Sequence, residues 1–162
     1  MGQSLSDEEI KQLFPLLYSD TKFRRSSPED SRYNCISWAM QKKDRWTAVP
    51  AGYRYLDGVV WWPPGAQQGM DISCLVDAFE HEGYELCDDD GFDNEWLKVA
   101  LYYKPETNEW THAARQLRNG VWASKLGQSN DIEHGTPYTL EGDVYGKVYC
   151  IMKTRFYSSR TR

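Results

Sequence analysis

The sequence predicts an α+β domain in which N-terminal helices, one of them beginning with a cysteine, pack on an antiparallel sheet. Apolar residues recur at helical spacing in the first half of the chain, whereas the second half holds alternating apolar stretches and the hairpin signal Asn119-Gly120. A chain of 162 residues can bury a full core without disulfides or metal. We therefore expect one domain over residues 1–162, with an N-terminal helix and lead-in loop at 1–30 and the core at 31–162.

Capping residues and apolar periodicity predict three helices. Ser6 and Glu9 match a capping box in front of a short apolar helical pattern. Asn34 is a favourable N-cap residue, so a second helix should begin at Cys35. The predicted helices are thus a short one after Ser6, one starting at Cys35, and one over residues 71–82.

The segment between the second and third helices, residues 44–70, is predicted to be a long irregular loop because Gly and Pro punctuate it repeatedly. It contains the pair Trp61-Trp62. These rings either wedge into the core or form a lid or wall beside a cleft, and the sequence leaves both interpretations open.

The second half of the chain predicts the sheet. The Asn119-Gly120 pair lies between two apolar stretches, which indicates a β-hairpin. A later stretch alternates Val148, Cys150 and Met152 with polar residues and should pair with the others. The predicted strands are 96–103, 110–117, 121–126 and 145–156.

Composition excludes several classes of function. A formal net charge of −5 argues against sequence-independent binding of nucleic acid, which depends on Lys and Arg neutralising phosphates. The sequence has no run of about 18 apolar residues and no signal-peptide pattern, so we expect a cytoplasmic protein without membrane association. Export by a route without a signal peptide stays open.

The four cysteines are expected to be reduced thiols, because they form neither C-x-x-C pairs nor the clusters of a disulfide scaffold. No two of the four cysteines and three histidines have the short spacing of structural zinc sites. We therefore expect neither a metal nor another cofactor.

Cys35 is the leading candidate for chemistry. At the start of a helix, backbone N–H dipoles favour the thiolate and lower the pKa of the thiol. A nearby imidazole would accept the thiol proton and later donate it to a leaving group. His112 is the best candidate for this base because it opens a strand far along the chain, while His134 is a possible substitute base or third member.

A polar residue that orients His112 should lie on the returning strand or just after it, where Ser124 and Asp131 are found. Asp131 is the chemically best orienting group. With a two-residue hairpin loop, His112 faces Gly127 and Ser124 points to the opposite side of the sheet, although a one-residue change in the loop would reverse that side.

This arrangement resembles the papain-like cysteine hydrolases, in particular the bacterial NlpC-type amidases and proteases. The likeness lies in Cys35 within Y-N-C-I-S-W-A, His112 within W-T-H-A-A-R-Q-L, and V-W-A-S-K-L-G followed by Asp131. The resemblance implies that Cys35 is the nucleophile, that His112 is the base, and that Asp131 or Ser124 is the third member. An oxyanion hole would use the Cys35 backbone N–H together with Tyr33 or Asn34.

The expected function is therefore that of a thiol hydrolase or acyl transferase acting on an amide or ester bond of a peptide or protein, as a peptidase, amidase or deamidase. The alternative is a non-catalytic binding module that contacts a protein partner through Trp61 and Trp62, since aromatic residues dominate binding hot spots.

Overall fold

A seven-stranded sheet forms the centre of the protein. The computed structural model describes residues 4–27, 32–52, 54–55, 58–126 and 130–155. In chain order the strands of this sheet are β1 (Arg24–Ser27), β5 (Glu85–Cys87), β6 (Trp96–Lys104), β7 (Glu109–Gln116), β8 (Trp122–Lys125), β9 (Asp131–His134) and β10 (Lys147–Arg155). Their spatial order is β1-β9-β8-β7-β6-β10-β5, and each neighbouring pair is antiparallel.

The helices begin where the capping residues predict. The three α-helices are α1 (Asp7–Leu13), α2 (Cys35–Ala39) and α3 (Ile72–His81). Ser6 and Glu9 form the full capping box, and the side chains of Asn34 and Asp71 cap α2 and α3. Helices combined with an antiparallel sheet confirm the α+β prediction. Within the described part of the chain, none of these helices is long and apolar enough to cross a membrane.

The prediction of an irregular segment over residues 44–70 was incomplete. Its described residues include a small second sheet made of β2 (Arg45–Thr47), β3 (Arg54–Tyr55) and β4 (Gly58–Trp61), in the order β2-β4-β3. Strand β2 runs parallel to β4, and β3 runs antiparallel to it. Short runs of aromatic and β-branched residues pair despite the surrounding Gly and Pro residues, which sequence punctuation alone does not reveal.

The two faces of the main sheet are covered by different elements. Helices α2 and α3 cover one face, and α1 with the 3-10 turns at Pro15–Ser19 and Pro137–Leu140 covers the other. The first apolar cluster includes Ile36, Leu75, Phe79, Leu101, Ala113 and Met152. The second includes Ile10, Phe14, Leu17, Tyr102, Ala114, Trp122 and Ile132. Residues that alternate along one strand therefore meet different clusters.

The hairpin between β7 and β8 differs from the two-residue loop considered above. Arg115 pairs with Ala123 and Gln116 with Trp122, so residues 117–121 form the connection. This shifts the register by one residue and turns Ser124 to the side of the sheet on which His112 lies. Gly127, the partner that the shorter loop gives to His112, falls outside the described residues.

Candidate functional site

Cys35 begins α2, as the sequence predicts. The Asn34 side chain caps this helix by accepting a hydrogen bond from the backbone N–H of Ser37 at 3.0 Å. The same Oδ1 accepts from the Thr47 N–H at 3.2 Å, and Asn34 Nδ2 donates to the Thr47 carbonyl at 2.9 Å. Asn34 thereby fixes the start of α2 against β2.

The side chains of Tyr33 and Asn34, the residues predicted to help form an oxyanion hole, are both buried. The Asn34 amide is buried and committed to the cap and to Thr47. Tyr33 is buried beside Trp38 and Ala123. Both side chains contribute to packing and positioning, and an oxyanion-hole role for Tyr33 or Asn34 stays a prediction.

The electrostatic environment of Cys35 differs from the predicted one. Burial raises the pKa of the thiol to about 11, while the backbone N–H groups of Ala113 and Ile36 and the charge of Lys125 lower it by less. The expectation of a lowered pKa is therefore wrong, because desolvation of the Cys35 thiol outweighs the effect of the backbone N–H groups. At neutral pH the thiol of Cys35 is protonated.

His112 is buried in the middle of an aromatic and polar cluster. Its Nε2 lies 3.0 Å from Ser124 Oγ, and its ring stacks on Tyr145 with centroids 4.0 Å apart and planes 5° apart. Burial, followed by the charge of nearby His134, holds the pKa of His112 well below its usual value. Among the described residues no group forms a hydrogen bond with His112 Nδ1.

Ser124 connects His112 with a second buried histidine. Its Oγ lies 2.9 Å from His134 Nε2, and His134 Nδ1 lies 2.8 Å from the Thr136 carbonyl oxygen. Burial lowers the pKa of His134 to about 4, although the Thr136 carbonyl and Asp20 oppose the shift. The sequence indicated His134 as a possible substitute base or third member. The alternation of Ile132 and His134 along one strand is the signal that places both on this face.

Asp131, the preferred orienting residue, lies on the other face of the sheet. Ser124 pairs with Ile132 and Lys125 pairs with Asp131, so Asp131 shares the Lys125 side of the sheet and not that of Ser124. The group bonded to the His112 ring is Ser124. The assignment of Asp131 to that ring is therefore corrected by strand alternation, which chemical preference alone does not consider.

Two shared neighbours relate Cys35 to His112. The Ala113 N–H, which acts on the Cys35 thiol, belongs to the residue after His112. A charge on Cys35 would also raise the pKa of Tyr145, whose ring lies on the His112 imidazole. Cys35 itself packs against the first apolar cluster, whereas the His112 ring lies on the side of the second, and no hydrogen bond joins His112 Nδ1 to the thiol among the described residues.

The two tryptophans of the aromatic segment have different environments. Trp62 is buried, stacks on Trp110 with ring centroids 5.9 Å apart, and donates from Nε1 to the Gln67 carbonyl at 3.0 Å. Trp61 is partly buried, and the cationic groups of Lys42 and Arg45 lie over its ring. The Trp62 ring is therefore part of the core, so it offers no surface to a partner.

The buried imidazoles of His112 and His134 should make the protein less stable at acidic pH. In the folded protein, burial holds the pKa of His112 well below 6.5 and lowers the pKa of His134 to about 4. Below pH 6.5 the unfolded chain therefore binds protons that the native protein does not. We expect the free energy of unfolding to fall by about 1.5 kcal/mol through His134 alone between about pH 6.5 and 5. Urea titrations should show a smaller fall for His134→Gln, and an equal fall would contradict the assignment.

The chain belongs to the family described as a domain of unknown function, DUF7689, whose model matches residues 24–153. The match includes Cys35, His112, Ser124 and His134. No curated protein and no solved structure matches the chain. Among the described residues, no group of three or more His, Cys, Asp or Glu side chains is placed to hold a metal ion.

Proposed function

We propose that this protein is a papain-like thiol hydrolase or acyl transferase in which Cys35 is the nucleophile, His112 the base and Ser124 the residue that orients the base. One observation carries the proposal. Ser124 Oγ bonds to Nε2 of the buried His112 ring, while His112 Nδ1 has no hydrogen-bond partner among the described residues. The N–H of Ala113, the next residue on the same strand, acts on the Cys35 thiol. An imidazole held at one nitrogen and open at the other suits a general base.

The reaction would start from neutral groups. Because burial raises the pKa of Cys35 and lowers that of His112, the resting pair is a thiol and an imidazole. Cys35 packs with α2 against the first apolar cluster, whereas the His112 ring faces the second, so the reaction requires the thiol and His112 Nδ1 to be brought into contact. As the sulfur then attacks a carbonyl carbon, the thiol proton passes to His112 Nδ1, and His112 donates it to the departing amine or alkoxide. Water or an amine releases the acyl group from sulfur and restores the thiol.

The substrate class follows from this chemistry. A thiol nucleophile and a single base suit amide and ester carbonyls, as in peptidases, amidases, deamidases and acyl transferases. The net charge of −5 favours a neutral or basic peptide or protein over an acidic one. We therefore propose a peptide or protein substrate.

Acylation of Cys35 by an activated ester tests the proposal directly. After incubation with p-nitrophenyl acetate at about pH 7, mass spectrometry should show one acetyl group on Cys35 and none on the same peptide of Cys35→Ala. His112→Ala should slow the acylation at least about tenfold, because a general base contributes typically 10²–10⁴-fold. His81→Ala is the matched control, since His81 lies partly exposed on α3 and bonds to the Asp77 carbonyl.

Two measurements make the outcome decisive. The thermal midpoint of each variant shows whether the fold is kept, and iodoacetamide labelling of Cys150 gives an internal reference because burial also raises the pKa of that thiol to about 12. Equal rates for the wild type and a folded His112→Ala variant would exclude His112 as the base. Acylation of Cys150 in preference to Cys35 would exclude Cys35 as the nucleophile.

A further inference from the structure

The hydrogen-bond chain through Ser124 has a fixed direction, because it ends on a group that can only accept. His134 Nδ1 lies 2.8 Å from the Thr136 carbonyl oxygen. A carbonyl has no proton to donate, so Nδ1 of His134 carries the hydrogen. A neutral imidazole has one N–H, and Nε2 of His134 is therefore an acceptor.

The direction is passed on by a single hydroxyl. Ser124 Oγ lies 2.9 Å from His134 Nε2 and 3.0 Å from His112 Nε2. Its one hydrogen must point at the acceptor on His134, which leaves only its lone pairs for His112. His112 Nε2 is then the protonated nitrogen, and His112 Nδ1 carries the lone pair.

We propose that His134 is a positioning residue that fixes the tautomer of His112 through Ser124, so that the basic lone pair lies on Nδ1. The role in catalysis rests on the proposed function, whereas the control of the tautomer does not. Without an acceptor at position 134, the Ser124 hydroxyl could donate to His112 Nε2, and the basic nitrogen would become Nε2, which is already occupied by Ser124.

Asp20 stabilises the end of this chain. Its Oδ2 accepts from the Gly135 N–H at 2.8 Å and from Thr139 Oγ1 at 2.7 Å. Gly135 and Thr139 lie on either side of Thr136 in the chain, so these contacts fix the turn whose carbonyl oxygen accepts the hydrogen bond from His134 Nδ1. The negative charge of Asp20 also acts on His134, since it raises the pKa of that imidazole against the effect of burial.

Nitrogen NMR of the imidazoles tests the inference on the intact chain. In protein labelled with ¹⁵N-histidine at about pH 7, long-range ¹⁵N–¹H spectra distinguish a protonated from a bare ring nitrogen, and single variants assign the three histidines. We expect His112 to be protonated at Nε2 and His134 at Nδ1. The opposite tautomer of His112 in the wild type would overturn the inference without any variant.

Variants at the link supply the causal test. His134→Phe keeps a ring but removes the acceptor, so His112 should shift to the Nδ1–H tautomer or a mixture, and acylation of Cys35 should slow severalfold. His134→Gln offers a carboxamide oxygen to Ser124 and should restore the Nε2–H tautomer. Ser124→Ala, with Ser124→Thr as its matched control, tests the same link if His134→Phe does not fold. An unchanged His112 tautomer in folded His134→Phe or Ser124→Ala protein would overturn the inference.

The two proposals fail in different ways. If the tautomers respond as expected while Cys35 acylation ignores His112, the hydrogen-bond relay stands and the thiol hydrolase proposal falls. If acylation depends on His112 but its tautomer ignores His134 and Ser124, the relay falls and the hydrolase proposal stands.

Discussion

Replacing Gly146 with alanine should destabilise the protein by about 4 kcal/mol or more, the largest effect that we expect from a single substitution. Gly146 has φ +78°, a region in which side chains are strained, and an added Cβ would overlap the carbonyl oxygen of Tyr103. The same Cβ would lie 2.8 Å from the Tyr103 carbonyl carbon, which is backbone and cannot rotate away. The start of β10 would have to move off β6.

The matched control is Gly142→Ala, at the other side of the same turn. Gly142 and Gly146 exchange two backbone hydrogen bonds of 2.9 Å, but a Cβ at Gly142 meets nothing within 4 Å. Its cost should be limited to backbone strain at φ +149°, about 1–3 kcal/mol. Urea unfolding of the two variants measures the difference, and equal stabilities would show that the contact with Tyr103 relaxes easily.

Gly146→Ala should also affect the candidate site, because the preceding residue covers the base. The Tyr145 ring stacks on His112, and its carbonyl accepts from Thr111 Oγ1 at 2.6 Å. Displacing the backbone at position 146 should weaken both contacts. In any folded fraction of this variant, the ring ¹⁵N shifts of His112 should differ from those of wild type, whereas Gly142→Ala should leave them in place.

Replacing Asn34 with alanine should cost about 4 kcal/mol. Loss of an N-cap side chain costs typically about 1 kcal/mol. Here the same amide also bonds the N–H and the carbonyl of Thr47, and Thr47 is fully buried, so two further main-chain groups lose a partner at about 1–3 kcal/mol each. The small sheet should lose its attachment to α2 together with the cap.

Ser6→Ala is the matched control for Asn34→Ala. It removes an N-cap of the same kind from an exposed position on α1, where the donor that it leaves can bond to water. We expect a cost of about 1 kcal/mol there. Denaturant midpoints for both variants separate the capping contribution from the Thr47 contribution, and a similar loss in both would mean that the Thr47 bonds add nothing to stability.

Local signals predicted most of the elements. The capping box at Ser6, the Asn34 cap and the helix after Asp71 depend on residues close in sequence, and the structure confirms them. Strand β6 also appears as predicted, and a hairpin forms around Asn119-Gly120, although its connection is longer than the two-residue loop considered. These features are set by propensity and by short-range hydrogen bonds, which a sequence displays directly.

The site depended on quantities that the sequence does not display. The hairpin has a five-residue loop instead of the two-residue loop considered from the sequence. The resulting one-residue shift in the pairing of β7 and β8 places Ser124 next to His112. The alternation of side chains along β9 places Asp131 on the face opposite Ser124 and His134 on the same face as Ser124. This placement follows from strand pairing and not from residue type. The high pKa of Cys35 arises from tertiary burial, which competes with the local helix dipole and exceeds it.

The histidine side of the sheet is closed by residues that precede the range matched by the family. Ile10, Phe14 and Leu17 are all buried against this face, and the Phe14 ring lies 5.1 Å from that of Tyr145. The range that the family model matches is thus shorter than the part of the chain that packs together around this face. In a fragment that begins at residue 24, water would reach the His112 and His134 side chains. Relatives that align only over residues 24–153 would need other residues of their own to cover this face.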